Sequence, residues 1–556
     1  MKLHDGIAQA LEAEGCEKIF GVMGDGNMTL WAAIAALGKT EIFSARHEAA
    51  AVSMADGYFR ATGNLGVATV TYGPGMTQIG TSLVVAARNR TPMVVVIGDF
   101  GRSDTTNIQL YDHAPFVRAC EAEFIRVSSI NNAPREVAQA FHTARLNRHP
   151  VVLSIPMDLM DAVLEWGFDY HPACVASSPV PYAPAIEVLD SLAQKLSTAS
   201  RPVIIAGQGV KDSKARDRVI RLADQTGALL ATTLKAKGLF TGHPYDLGIV
   251  GTYSSRPAEE LMADADFVLG LGAELGYLTT EGGLLFGEAE VALVDIVSQP
   301  KRLPFLRCQY VAGDVGLTAD GLLARLAGVE KEGYRGQHTR STLDRKFELP
   351  APPADGIDPR ALATRLSSLI PVDARITIGV GHYWGFFMMY TALAASTDAI
   401  YSYQMGAIGQ TLFVGLGASI AEPNRRNLVI DGDGSLLMSL QELETAARYQ
   451  LPLTVLVWND VGYGAEMHKL KAKGLDSALG RWSDTTDFAA VARGFGGDGM
   501  VITDLSQLEE GMKKAMESPT LYVLDVRVSP SVMSDAYLKL HFGIENNAPA
   551  LRGVSA

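Results

Sequence analysis

Cysteine is scarce: four residues among 556. Cys16, Cys120, Cys174 and Cys308 lie far apart and none opens a C-x-x-C pair, which excludes a disulfide scaffold or a zinc ribbon. They read as buried, reduced thiols of a cytoplasmic protein. Basic residues are the minority charge, 48 Lys and Arg against 61 Asp and Glu, for a net charge of −13. No basic stripe is present to neutralise phosphates, so no nucleic-acid partner is expected. Nor is there a run of the roughly 18–20 uninterrupted apolar residues that a bilayer span requires. The nearest approach, YWGFFMMYTALAA (383–395), is shorter and reads as a core helix, so no membrane is expected. The opening MKLHDGIAQALEAEG reads as an amphipathic helix with acidic residues and not as a signal peptide.

What is there is the composition of an ordinary folded protein, 47% apolar and 20% charged, on a chain too long for one core. Apolar strand-like runs alternate with helical segments, the pattern of parallel sheets wrapped in helices. Two proline-rich breaks, CVASSPVPYAPAIE (174–187) and FELPAPPADGIDP (347–359), read as linkers because clustered prolines leave helices and central strands. They predict an α/β fold of three doubly wound parallel-sheet domains at 1–172, 185–345 and 356–530, followed by a tail at 531–556. The first block offers KIFGVMG, EIFSARHE, GVATVTYGPG and PMVVVIGDF as strands. The second offers RPVIIAGQGV, ADFVLGLGAELG and VALVDI, and the third ARITIGVG, RRNLVIDGDG and LTVLVWNDVGYG. Each ends in glycine or polar residues, where ligands of open parallel sheets collect.

The stretch LVIDGDGSLLM (428–438) sets a carboxylate between glycines at a strand tip. A calcium EF-hand loop would need glycine at its sixth position, which here is Leu436, so that reading fails. A dinucleotide fingerprint fails for want of its third glycine. A tight strand-to-helix turn with Asp433 as cap remains open. So does a metal site. Strand 428–431, helix 439–449 and strand 453–458 form one βαβ unit, whose second strand runs into WNDVGYGAE. That brings Asp460, 27 residues after Asp433, to the same sheet edge. Two carboxylates there make half of an octahedral magnesium site, completed by water and diphosphate oxygens.

G-D-G followed at this distance by N-[ND]-x-x-G resembles the thiamine-diphosphate-dependent enzymes, in the pyruvate decarboxylase and acetolactate synthase branch, and the resemblance spans essentially the whole chain. It implies a pyrimidine-binding first domain, a central Rossmann-like domain and a diphosphate-binding third domain. It further implies that Asp433, Asp460 and the carbonyl of Gly462 hold the metal. Gly432, Gly434, Ser435 and Tyr463 then fall on the diphosphate side. Asp460 stands where the family usually has asparagine. The segment Val380–Trp384 resembles the second diphosphate loop, with one residue missing, and brings in Gly381, His382 and Tyr383. ARHEAAAVSMADGYFRATG (45–63) matches the family's glutamate segment. Glu48 would hydrogen-bond the cofactor's pyrimidine, whose own imino group becomes the base. QMGAIGQTLFVG (404–415) would supply Ile408 as the wedge that bends the cofactor and the Gly406 carbonyl as an acceptor.

Reaction type is less sharply marked. Asp25, in FGVMGDGNMTLW (20–31), and Glu466, six residues after Asp460, resemble catalytic acids of pyruvate decarboxylases. The paired histidines of those enzymes are absent; His113, in a Q-x-x-D stretch similar to acetolactate synthases, is the nearest candidate. TYGPGMTQ (71–78) matches the synthase G-P-G element, but Tyr72 replaces a small residue. Glu274 stands where FAD-carrying synthases have arginine, so FAD is not expected. The resemblance therefore implies a 2-oxo acid decarboxylase or carboligase working through an enamine (acyl anion). The alternatives are a non-decarboxylating C–C lyase or hydrolase of acyloins or 1,2-diketones, and a catalytically dead cofactor-binding protein. Because pyrimidine and diphosphate domains of different subunits share one site in this family, a homodimer at minimum, and a homotetramer in full, is implied. Tyr537, Leu538 and Phe542 line either a lid or an ordinary docked tail.

Overall fold

The computed structural model describes residues 1–101, 103–165, 167–172, 181–296, 306–345 and 350–542. Half of the first proline-rich break (174–180, with Cys174), part of the second and residues 543–556 lie outside them. Three six-stranded sheets, parallel throughout, carry the chain.

The first sheet holds β1 (Lys18–Gly21), β2 (Glu41–Ser44), β3 (Gly66–Val70), β4 (Met93–Asp99), β5 (Glu123–Arg126) and β6 (Pro150–Pro156). The second holds β7 (Pro202–Ala206), β8 (Leu229–Thr232), β9 (Asp246–Ile249), β10 (Phe267–Leu271), β11 (Glu290–Asp295) and β12 (Cys308–Ala312). The third holds β13 (Arg375–Gly379), β14 (Asp398–Ser402), β15 (Asn427–Gly432), β16 (Leu453–Asn459), β17 (Asp498–Ile502) and β18 (Tyr522–Arg527). Strands run β2-β1-β3-β4-β6-β5 in the first and β14-β13-β15-β16-β18-β17 in the third, one topology used twice. The middle sheet runs β12-β11-β10-β7-β8-β9, the Rossmann order read from its far edge.

Central strands are apolar along their whole length because helices cover both faces. Every residue of β3, β4, β6, β15 and β16 is buried, and each buried Val, Leu or Ile contributes about 1.5–3 kcal/mol. Edge strands β2 and β5 are half exposed. The apolar stretch 383–395 forms the core helix His382–Tyr390, ending before residue 391. Among the described residues no helix is long and apolar enough to cross a membrane. Cys16 and Cys120 are buried thiols, whereas Cys308 is only half-buried because it starts edge strand β12, a departure from the expected burial.

The first and third domains touch directly within the chain. The helix Glu48–Thr62 crosses the helix Thr411–Ala421 so closely that a Cβ on Gly57 would sit 2.1 Å from the Val414 carbonyl oxygen. A Cβ on Gly417 would sit 1.9 Å from the Met54 carbonyl oxygen. Only glycine permits such backbone contact. Beside it, Gln410 Oε1 accepts hydrogen bonds from the hydroxyls of Ser53 (2.7 Å) and Ser82 (2.8 Å). Buried Glu442 accepts the Arg46 N–H at 2.8 Å, fixing the loop that precedes Glu48.

Candidate active site

In sheets of this order, the strand order reverses between the first and third strands in sequence, and the crevice opens beyond their carboxyl ends. For the third sheet that point lies between β13 and β15. The loops leaving these strands are Gly381–Tyr383 and Asp433–Ser435, with the loop after β16 alongside.

β15 and β16 are hydrogen-bonded neighbours, Asp431 opposite Val457, so Asp433 and Asp460 emerge side by side. Both are buried, 1% and 8% exposed. Burial, with Asp460 beside it, holds the Asp433 carboxyl well above its usual range; burial raises Asp460 to about 7. Two apposed carboxylates in a dry crevice favour a proton or a cation between them. Gly462 donates its N–H to Asp433 Oδ2 at 3.1 Å. The neighbouring N–H of Tyr463 and carbonyl of Val461 pair the other way, with Gly480 and Trp482. Val461, between the two site residues, sits at φ 59°, a left-handed backbone that a β-branched residue adopts only under strain. A Cβ on Gly434 would strike the rings of Trp482 (2.8 Å) and Tyr463 (2.9 Å), so the turn after Asp433 stays bare backbone.

Among the described residues no group of three or more His, Cys, Asp or Glu gathers round a common point. The donor set is thus two carboxylates with backbone nearby, too few for calcium or zinc and suited to magnesium, which keeps water and phosphate oxygens. The expected helix 439–449 is present but shorter, Glu442–Arg448, and a separate helical turn, Asp433–Leu437, precedes it with its N-terminus at the crevice. His382 begins its own helix with Nδ1 3.9 Å from Asp460 Oδ2; burial pushes its pKa down to about 4, so it is neutral. Tyr383 turns inward, its hydroxyl on Asp431 Oδ1 at 3.1 Å. Ser435 Oγ accepts the Gly409 N–H at 2.8 Å, joining this loop to the one carrying Gly406 and half-buried Ile408.

The first sheet's reversal point holds the other candidates. Gly26 donates its N–H to Thr71 Oγ1 at 3.0 Å, laying the exposed Asp25 loop on the loop after β3. Glu48, half-buried at the first position of its helix, has Oε1 3.6 Å from where a Gly75 Cβ would lie. His113 is buried: Nε2 accepts the Gly73 N–H at 3.4 Å, and Nδ1 lies 3.4 Å from Asp99 Oδ1. Its imidazole therefore braces the G-P-G loop. Glu466 is exposed on the first turn of Gly464–Ala472. Glu274 is exposed in the middle domain, where Gly207 and Gly209 press against Gly272 at the β7/β10 reversal point.

Sequence reasoning missed several groups. Buried Asp431, Glu442 and Gln410 acquire meaning only through partners remote in sequence. His468 packs against His382, ring centroids 4.7 Å apart and tilted by 56°, on a helix whose only marked residue was Glu466. Tyr537, on the helix Asp535–Phe542, rests edge-on against His382 (5.1 Å) and donates its hydroxyl to the Ala465 carbonyl at 2.8 Å. Lys539 on that helix pairs with Glu259 and Glu281 of the middle domain, so the described part of the tail is docked.

Fold and site together define an α/β enzyme with a crevice of paired buried carboxylates on one domain and a glutamate-bearing crevice of like topology on another. Residues 1–123 match the model of the thiamine pyrophosphate enzyme N-terminal TPP binding domain, 189–321 its central domain and 379–526 its C-terminal TPP binding domain. The acetolactate synthase large subunit of Parasynechococcus marenigrum is 30% identical over 553 residues, covering 94% of this chain and 86% of that one. Acetolactate synthase isozyme 2 large subunit of Escherichia coli is 29% identical, covering 94% of each. A putative thiamine pyrophosphate-containing protein of Bacillus subtilis is 27% identical, covering 94% and 91%. The chain belongs to the thiamine-pyrophosphate-dependent enzymes, in the acetolactate synthase and pyruvate decarboxylase branch.

Proposed function

We propose that the protein is a thiamine-diphosphate- and magnesium-dependent decarboxylase or carboligase of 2-oxo acids. The observation that carries this is the buried Asp433–Asp460 pair at the mouth of β15 and β16, beside a helix N-terminus. The cofactor supplies the electron sink that lets a carbon–carbon bond next to a carbonyl break. Asp433 and Asp460 hold the cation, with the Gly462 carbonyl as the backbone ligand. The bare backbone of Gly432, Gly434 and Ser435 meets the phosphates, with Gly381, His382 and Tyr463 flanking them. Ile408 and the Gly406 carbonyl shape the seat of the rings. Glu48 holds a proton at a pyrimidine nitrogen. Glu466 and Asp25, both exposed in a single chain, handle protons at the substrate end, with His113 bracing the loop beneath them.

Exposure of those two acids, and of Met23, Met28, Ile108, Met405 and Met438 around the same loops, supports a second copy covering this face. We therefore propose a homodimer, or a tetramer built from it, with Glu48 of one copy serving Asp433 of the other. FAD is no part of this reading. The domain division at 1–172, 185–345 and 356–530, and a cytoplasmic setting for the free thiols, belong to the same proposal. Carbon dioxide release from a panel of 2-oxo acids, with thiamine diphosphate and magnesium added, tests it. Release with at least one acid supports the reading. Cleavage of acyloins or diketones with no carbon dioxide from any 2-oxo acid would replace it by the lyase alternative.

A further inference from the structure

Asp431 is a carboxylate with no exposed surface, in the middle of a sheet covered on both faces, and it is not one of the apposed acids. A buried acid needs partners, and these come from three different segments. Its Oδ1 accepts the Tyr383 hydroxyl at 3.1 Å, from the helix after β13. It accepts the Thr411 hydroxyl at 3.1 Å, from the helix after the Gly406–Gln410 loop. The Gly432 N–H, at 3.1 Å, comes from its own strand end. Asp431 Oδ2 has no hydrogen-bond partner among the described residues. Nearby, the Ser435 hydroxyl accepts the Gly409 N–H and so joins the Asp433 loop to the loop that leads into Thr411.

Surrounding residues make room for this cluster. A Cβ on Gly379 would lie 1.8 Å from Thr411 Oγ1 and 3.0 Å from the Tyr383 hydroxyl; one on Gly432 would lie 3.1 Å from the Tyr383 ring. Tyr383 Oη and Ser435 Oγ, both at the mouth of the crevice, are thus spent on Asp431 and Gly409.

We propose that Asp431 is the positioning residue of the cofactor seat. Through Tyr383 and Thr411 it holds the Gly381 and Ile408 loops, and the Ser435–Gly409 hydrogen bond carries the Asp433 loop with them, in one arrangement before any cofactor arrives, while Tyr383 and Ser435 meet the cofactor through backbone only. This rests on the function proposed above and deepens it. Shifting any one loop would strand the buried carboxylate or break the Ser435–Gly409 hydrogen bond, so the three loops move together or not at all.

The test is a thiamine diphosphate titration in excess magnesium, followed by tryptophan fluorescence, since the Trp482 ring borders Gly434. Denaturant unfolding runs in parallel. Asp431→Val should weaken cofactor affinity by about tenfold or more, a cost typical of residues that orient ligands. Asp431→Asn, which keeps the Oδ1 acceptor, should restore most of it. Adding Tyr383→Phe to Asp431→Val should cost nothing further, because both act through one contact. Thr91→Val, which strips a buried hydroxyl from Asp56 in the first domain, should lower stability and leave cofactor affinity alone. Should Asp431→Val not fold, Tyr383→Phe and Thr411→Val carry the test, with single losses that do not multiply in the double variant. Wild-type affinity in a folded Asp431→Val protein, or losses that multiply, would overturn the inference. A wild-type chain that binds no thiamine diphosphate would overturn the function beneath it as well.

Discussion

The first and third sheets have the same strand order, yet their reversal points are furnished in opposite ways. At the third, the acids are buried: Asp431, Asp433 and Asp460 are 0%, 1% and 8% exposed. At the first, Glu48 is half-buried and Asp25 exposed, while the buried group is a histidine bracing a loop. One topology thus supports two tasks. A crevice lined with desolvated carboxylates favours a proton or a cation between them, which suits the anchoring proposed above. A crevice whose acids stay near solvent leaves them within reach of a substrate, which suits the proposed acid–base role.

Glu48→Gln strikes the second task alone and carries the largest expected effect. Turnover should fall by roughly 10³-fold, within the range for lost acid–base catalysis, with cofactor binding retained. Steady-state rates set beside the fluorescence titration check this, and near-normal turnover would break the division. Asp433→Asn strikes the anchor: cofactor affinity should drop by about a hundredfold or more, and thiamine diphosphate with magnesium should no longer raise the melting temperature. Full thermal stabilisation of that variant would mean the acids anchor nothing. Glu466→Gln sharpens the chemistry at the exposed end. Product release should slow by about 10- to 100-fold with a larger share of ligated product, since a proton donor is lost; chromatographic product ratios report it.

The smallest effect is on pH dependence. Asp460 is held at about 7 in the chain without a cation, above the 3.9 of an unfolded aspartate. The folded state therefore binds more protons than the unfolded one between about pH 4 and pH 7, and stability contributed there falls as pH rises. The cofactor-free protein should melt a few degrees lower at pH 7.5 than at pH 5, other titrating groups aside. Magnesium with thiamine diphosphate should abolish that difference, and an Asp460→Asn variant should show a smaller one, carried by the buried Asp433 carboxyl.

Much of this was legible from residues alone. The ten apolar runs read as strands are all strands, because a strand buried on both faces must be continuously apolar. Their glycine-rich ends sit at crevices, since open parallel sheets place ligand sites there. Edge strands β2, β5 and β12 carry weaker signals because half of each faces water. β6 and β18 went unread although their runs, PVVLSIP and YVLDVR, are largely apolar. The helix expected at 439–449 was misjudged at its start, where the chain turns between the short helix that carries Asp433 and the helix that begins at Glu442.

Motif spacing by itself determined the family resemblance, the apposition of Asp433 and Asp460, and the choice of Glu48, because each depends on residues close in sequence or on one βαβ unit. Only the tertiary structure decided that Tyr383 is tied inward to Asp431, that Ser435 is tied to Gly409, that His113 braces the Gly73 loop, and that Tyr537 lies on His382. Those roles rest on hydrogen bonds and ring contacts between segments 26 to 155 residues apart. The direction of a side chain across such a gap is set by packing, which no local pattern encodes.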